Sequence, residues 1–445
     1  MQRNNLRKII MITALAAITA GNVNAQTKNE FSVKQAVDYG LKNAVQVKNA
    51  LLDIQNQEQS NREITSQALP QITASGTYND YINIPTTLIP GEFFGQPAGT
   101  FTPVQFTTKY SSTGGVTLNQ TLFDGQVFVG LKARKTAIDF YKKTAAVTEE
   151  QIKLNIYKVY YQLIVGQKQL ESIQANIDDI GKQLHDTKEM YKNGFSEKLD
   201  VDKLTVQLNN IQTQKQTLGN QLEAGNAGLK FLIGMPQKEE LILTDTLSED
   251  ELKANILDES YNYTDRKDIQ LSMLDIKLQG YNVKRYQLSK LPVLSANASY
   301  SKAAYGSQFN FINGEWFTTS YVGLNLSVPI FSGFQKNAKI EEAKIALQKS
   351  SNNLQLLKNT VDDSVIQARI SMKSALATID NQRQNIQLAE QVYHSTQLKY
   401  NQGLGSNQEI YDAQTQLEIA QNSYYSALYD AIIAKVNYLE AVGKL

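Results

Sequence analysis

Hydrophobic and polar positions along this chain follow two periods, and the succession of periods is written twice. Ile72, Ala74, Gly76 and Tyr78 alternate with polar neighbours, and Leu294, Ala296, Ala298 and Tyr300 repeat the pattern. A period of two predicts strands. Return strands follow in each case: Val116, Leu118 and Leu122 correspond to Leu324, Leu326 and Ile330, with Gly114 and Gln120 in the places of Val322 and Val328. Each run is about 10 to 12 residues, the length of a tilted strand that crosses a bilayer. Asn83 to Lys109 and Tyr305 to Phe317 read as loops rich in Pro, Gly, Phe and Asn. Phe106, Tyr110, Trp316, Phe317 and Tyr321 cluster where strand meets loop, as girdle aromatics do.

Elsewhere the period is helical. No proline lies between Pro103 and Pro236 or after Pro329, so Gln126 to Lys192 and Gln335 to Tyr400 are each free to form one helix. At 1.5 Å per residue each runs roughly 100 Å. Gly166 and Gly181 weaken the first without ending it. Asn193-Gly194 and Gln402-Gly403 then predict turns. Beyond them, spacings of four and three predict a coiled-coil seam. In the first copy it runs Leu204, Leu208, Ile211, Lys215, Leu218, Leu222, Gly225, Leu229, Leu232. The second copy reads Ala413, Leu417, Ala420, Tyr424, Ala427, Ala431, Ala434, Tyr438, Ala441, and its alanines allow close helix approach.

Four anchors in the same order, about 210 to 220 residues apart, mark an internal duplication. Leu69-Pro70-Gln71 returns as Leu291-Pro292-Val293, and Leu118 to Gly125 returns as Leu326 to Gly333. Tyr191 to Gly194 returns as Tyr400 to Gly403, and Leu232-Ile233-Gly234 as Ala441-Val442-Gly443. The division that follows is a first repeat at 26–235, a linker at 236–265 and a second repeat at 266–445. The strand hairpins fall at about 71–122 and 293–331, and the tip turns at about 192–197 and 401–406.

Residues 1–25 read as a signal peptide: Arg3, Arg7 and Lys8, then the apolar run Ile9 to Ala20, then Val23-Asn24-Ala25 as a cleavage site. The run is too short to span a bilayer as a helix. The chain has 44 Lys+Arg and 43 Asp+Glu; losing three basic residues leaves 41 against 43, a mature net charge of about −2. That balance gives no reason to expect a nucleic-acid partner. With no cysteine there is neither a disulfide nor a lipidated N-terminus. No second apolar stretch reaches the length of a transmembrane helix, so entry into a membrane requires a β-barrel. Four strands do not close one, which predicts that several copies share it.

The order of these signals resembles the TolC (outer-membrane efflux protein) family over essentially the whole mature chain. The quoted features are Ser32-Val33-Lys34-Gln35-Ala36 opening the first helix with a capping box, Leu-Pro entering each hairpin, and Leu122-Phe123-Asp124-Gly125 and Ile330-Phe331-Ser332-Gly333 leaving it. Arg266-Lys267-Asp268-Ile269 opens the second repeat, with lysine where the family usually has proline. The resemblance implies a mainly α fold with a β-barrel portion, built from two repeats of helix, β-hairpin, long helix, turn and helix. It implies a homotrimer with a 12-stranded barrel in outer-membrane lipid, joined to an α-helical barrel across the periplasm. It also implies no cofactor and no catalysis. Docking of the tips, Gly194, Phe195, Ser196 and Gly403, Leu404, Gly405, would be to a periplasmic membrane-fusion adaptor joined to an inner-membrane pump of RND or ABC type. The family's gate carboxylates map onto Glu409 and Asp412, with Asp200 as the first-repeat counterpart. Some members carry an arginine where this chain has Gly405, so an ionic lock of that kind is not expected here.

The rival class is a secreted coiled-coil structural or adhesive protein, which accounts for the heptads but not for the duplicated hairpins. No phosphate loop, metal-spaced cluster or nucleophile elbow points to an enzyme. Glu409 and Asp412 also fit ordinary exposed acids at a helix start. His185 and His394, each nine residues before a tip glycine, fit a pH-sensing pair or solvent-facing positions inherited from the duplication. A wide tunnel selects little, so drug efflux, metal efflux and type I protein secretion are equally compatible with the sequence.

Overall fold

The structure, a computed structural model, describes residues 28–246, 261–308 and 314–445. The signal peptide expected at 1–25 lies outside the described residues, as do 247–260 of the linker and 309–313 of the second loop. The first half contains β1 (Lys28–Phe31), α1 (Val33–Asn43), α2 (Val45–Ser66), β2 (Gln71–Asp80), β3 (Thr87–Pro90), β4 (Phe101–Val104), β5 (Tyr110–Phe123), α3 (Gly125–Lys192), α4 (Lys198–Ile233) and β6 (Glu240–Leu243). The second contains α5 (Lys267–Leu288), β7 (Val293–Gly306), β8 (Trp316–Ser327), α6 (Gln335–Asn401) and α7 (Asn407–Ala441). The two long helices run unbroken for 68 and 67 residues, as the absence of proline predicts. Among the described residues no helix is long and apolar enough to cross a membrane.

The chain forms two compact units. One holds Asp53–Lys142 and Leu271–Gln355. Its centre is a four-stranded antiparallel sheet in the order β2-β5-β7-β8, so the two hairpins meet along β5 and β7. A register shift between Thr121 and Phe123 interrupts that seam. Gln120 donates from Nε2 to the Ala68 carbonyl at 2.9 Å, fixing the end of β5 against the start of β2. The predicted loop at 83–109 is more ordered than its composition suggests. It contains a second antiparallel ribbon, β3 with β4, closed by a short 3-10 turn at Gly91–Phe94. Pro90 and Pro103 lack the N–H a central strand needs, which suits a two-stranded ribbon.

The other unit holds the described residues up to Leu52, then Lys143–Gln270 and Leu356–Leu445. Its main core gathers Val37, Val47, Ile156, Tyr160, Leu229 and Ile233. The Tyr160 hydroxyl donates to the Phe31 carbonyl at 2.8 Å, and burial pushes its pKa up to about 12. β1 pairs in parallel with β6; strands of four residues are too short to show a period, and sequence reading missed them. Ser32 and Gln35 make the expected reciprocal capping box. Of the α7 seam, Ala413, Leu417, Ala427, Ala431, Ala434, Tyr438 and Ala441 are buried. Lys215, the charged member of the α4 seam, is satisfied by the Gln174 side chain of α3.

The contact of α3 with α4 is reciprocal. A Cβ on Gly166 would meet Leu222 Cδ2 at 2.6 Å, and one on Gly225 would meet Leu163 Cδ2 at 2.8 Å. Each glycine is the hole that receives the other helix's leucine. Gly181 has open space around it and receives nothing. Gly166→Val should therefore cost about 1–3 kcal/mol through overpacking. Gly181→Ala should instead stabilise α3 by up to about 1 kcal/mol. Opposite shifts of the thermal midpoint by circular dichroism are the expected result.

Candidate functional site

The strand register sorts side chains onto two faces, because residues directly opposite in an antiparallel pair share a face. One row runs Ile72, Leu118, Ala298, Val322, and the next runs Ala74, Val116, Tyr300, Ser320. Further rows on that face carry Ala296 with Leu324 and Leu294 with Leu326. It is mainly apolar, with Asp80 and Lys302 as its charged strand residues, and Val322, Leu324 and Leu326 stand exposed on it. The opposite face carries Thr73, Thr117, Ser299 and Tyr321 in one row, and Ser75, Gly115, Ser301 and Thr319 in the next. Thr73 and Thr117 hydroxyls bond across it at 2.7 Å. No residue of the four strands on this face is charged.

The same parity divides the aromatic cluster. Tyr110 and Trp316 lie on the apolar face, whereas Phe317 and Tyr321 lie on the polar one. Adjacent residues of a strand point oppositely, so Trp316 and Phe317 do not form one girdle.

The tip turns have matching geometry. Gly194 and Gly403 take φ of 78° and 74°. In each, the next N–H reaches back five residues: Phe195 to the Met190 carbonyl at 2.8 Å, and Leu404 to the Lys399 carbonyl at 3.0 Å. This left-handed cap closes a helix where glycine alone is unstrained. Phe195 is 83% exposed and Leu404 71%, so both turns present an apolar side chain to solvent.

The candidate gate carboxylates are each held within their own tip. Asp200 accepts from the Ser196 hydroxyl at 3.2 Å. Asp412 accepts from Gln408 Nε2 at 2.9 Å. Glu409 is paired with Lys399 Nζ at 2.9 Å, across the turn, while its N–H donates to the capping Ser406 hydroxyl. Among the described residues Asp200 shares no hydrogen bond or ion pair with Glu409 or Asp412. Lys399 was missed by sequence reading; its signal is a lysine one turn before the tip glycine, facing an acid one turn into the next helix. At Gly405, an added Cβ would sit 3.2 Å from the Tyr400 amide nitrogen, so a larger residue would push on the last turn of α6. His185 and His394 are both exposed.

Above the turns, α4 and α7 enclose a groove of about 580 Å³, lined by Leu199, Val206, Ile211, Tyr411, Thr415 and Glu418 among others. Gln414 is 1% exposed, and neither its side-chain atoms nor Glu418 Oε1 makes a hydrogen bond among the described residues. Burial raises the Glu418 pKa, and the Gln414 amide offsets part of that in a geometry too poor to count as a bond. Nearby, Asn176 donates to Gln421 at 2.9 Å and Gln183 to the Tyr393 hydroxyl at 3.0 Å, so α3 is tied to α7 and α6 by polar bridges. Burial pushes the Tyr393 pKa up to about 12.

A raised carboxyl pKa means the folded state favours the neutral acid, a contribution present at low pH and lost as pH rises through the folded pKa. Glu418→Gln keeps the shape and removes the ionised form. The variant should unfold at a higher temperature than the parent at pH 7 and at the same temperature near pH 4. Equal midpoints at both would show that the carboxylate is solvated.

A sequence profile described as Outer membrane efflux protein matches residues 264–444. Outer membrane protein TolC of Vibrio cholerae is 23% identical over 344 residues, covering 75% of this chain and 77% of that protein. Alkaline protease secretion protein AprF of Pseudomonas aeruginosa is 23% identical over 335 residues, covering 73% and 68%. Among solved structures, the outer membrane protein VceC of Vibrio cholerae matches with a TM-score of 0.71 at 15% identity, covering 92% of this chain and 96% of that one.

Proposed function

We propose, from the premise that this chain belongs to the outer membrane efflux protein family and is an outer-membrane exit duct, that three copies share one barrel and are opened from their periplasmic tips. It is a channel protein and not an enzyme, and its helical portion extends into the periplasm. The observation that carries the assembly is the sheet: an apolar face, a charge-free polar face, and free edges on β2 and β8. Lipid cannot satisfy the backbone groups of an open edge. Three copies bring twelve strands, pair every β2 with a neighbour's β8, and turn the polar faces inward. Native mass measurement in detergent is expected to give three chains, and a stable inserted monomer would refute the assembly.

The tips are the docking ends. Phe195 and Leu404, held outward by Gly194-Ser196 and Gly403-Gly405, offer apolar anchors to a periplasmic membrane-fusion adaptor. An inner-membrane pump of RND or ABC type supplies the energy and chooses the cargo, and the duct conducts passively. The name of AprF supports secreted protein as cargo and the family description supports efflux, and this duct serves whichever pump it meets.

Asp412, Glu409 and Asp200 form the constriction. Lys399 neutralises Glu409 inside each chain, while Asp412 has a neutral partner, so Asp412 carries most of the cation preference. Lys399 thus takes over part of what an arginine at position 405 does in some relatives. The pair is about half exposed, so salt screens it. In planar bilayers under a KCl gradient, Asp412→Ala should lower cation selectivity more than Glu409→Ala, and Lys399→Gln should raise it. Unchanged reversal potentials in all three would remove these residues from the constriction.

A further inference from the structure

The apolar face of the sheet carries one basic residue within its strands. Lys302 stands on β7, beside Gly114 of β5 and Thr318 of β8, in a row that continues to Gly76 of β2. Both neighbours of β7 belong to the same chain, so the residue is away from the free edges. Its side chain is exposed and makes no hydrogen bond or ion pair among the described residues. A lysine on a lipid-facing strand is unfavourable in hydrocarbon, and the cost vanishes only where the ammonium reaches the interface.

Two of the other three positions of its row, Gly114 and Gly76, carry no side chain. A Cβ on Gly114 would meet nothing within 4 Å, and one on Gly76 would meet only the Thr113 carbonyl oxygen at 3.9 Å. Aromatic side chains flank the row: Tyr300 in the row below, Tyr78 and Trp316 in the row above, and Tyr110, opposite Asp80, beyond them. Tyr78 and Tyr110 stack, with centroids 6.4 Å apart. Lys109 Nζ lies 5.1 Å from the centre of the Tyr110 ring, and Asp80, opposite Tyr110 on the same face, acts on it with a carboxylate charge, so Lys109 adds no net positive charge at this end. β2 leaves the helices at Gln71 and ends at Asp80, and Lys302 lies near the same end of the sheet, the end that carries the 81–109 loop.

We propose that Lys302, beside Gly114 and in the row of Gly76, binds the phosphate of a phosphorylated lipid headgroup in the outer leaflet. The chemistry is charge complementarity in a site of low dielectric, where an ammonium–phosphate hydrogen bond is strong. The flanking aromatics contact the sugar or acyl portion of the same lipid. The site rests on the reading that the apolar face meets lipid.

Native mass spectrometry of the detergent-extracted protein tests the site and the assembly in one spectrum. The probe is diphosphorylated lipid A, compared with lipid A stripped of phosphate and with competing inorganic phosphate. The intact protein should retain diphosphorylated lipid A and bind the stripped form weakly. Lys302→Gln should bind about tenfold less tightly, the worth of one charge-assisted bond, and Lys302→Arg should restore binding. Inorganic phosphate should fail to displace the lipid. The proposal is overturned if Lys302→Gln binds as well as the parent, if the stripped lipid binds equally, if free phosphate displaces the lipid fully, or if the parent binds none. In each of those cases an unchanged three-chain mass leaves the duct reading standing, whereas loss of that mass in the parent overturns the duct reading itself.

Discussion

A peptide group in hydrocarbon has no water to turn to, and that constraint governs the rest of this molecule. The sheet satisfies its backbone internally along three seams and leaves two edges open. In the proposed assembly those edges are where neighbouring copies join. The division of side chains fits the same requirement, since the closed cylinder proposed above has an inside and an outside, and each strand must alternate between them. The duplication provides four strands from one gene product at the price of a junction, and β5 against β7 is that junction.

The elements were legible in the sequence where a long period or an absent residue carried the signal. The proline-free stretches gave the two long helices, and the alanine seam of α7 gave its buried face. The capping box at Ser32 was equally plain. What could not be read were contacts made by very short segments or across turns. β1 with β6 joins residues more than two hundred apart through four pairs, too few to impose a period. Lys399 meets Glu409 only because the tip turn folds back on itself. The aromatic cluster was visible as composition, but its division between two faces needed the register.

The two repeats have diverged in use while keeping their punctuation. Both end their long helices with the same left-handed glycine, and both expose an apolar residue just beyond it. The seams differ: leucines and one lysine in α4, alanines and tyrosines in α7. Leucine knobs fitted into glycine holes hold α3 to α4, whereas amides and a phenol bridge α3 to α6 and α7. Polar bridges of this kind can exchange with water at modest cost, and interlocked leucines cannot. Polar and apolar contacts nevertheless occur in both settings: Lys215 meets Gln174 within the first repeat, and Tyr161 of α3 packs against the apolar cluster of Ile379, Leu428, Ala431 and Ile432 in the second.

The charge-free polar face has a consequence for what the barrel does to ions. A wall of hydroxyls and amides sets up no fixed-charge potential, so it neither enriches counterions nor excludes co-ions. Salt within such a bore should stand near its bulk concentration, with no Donnan offset between the bore and the medium outside. Cargo of either sign then meets the same wall, and the bore contributes resistance without preference.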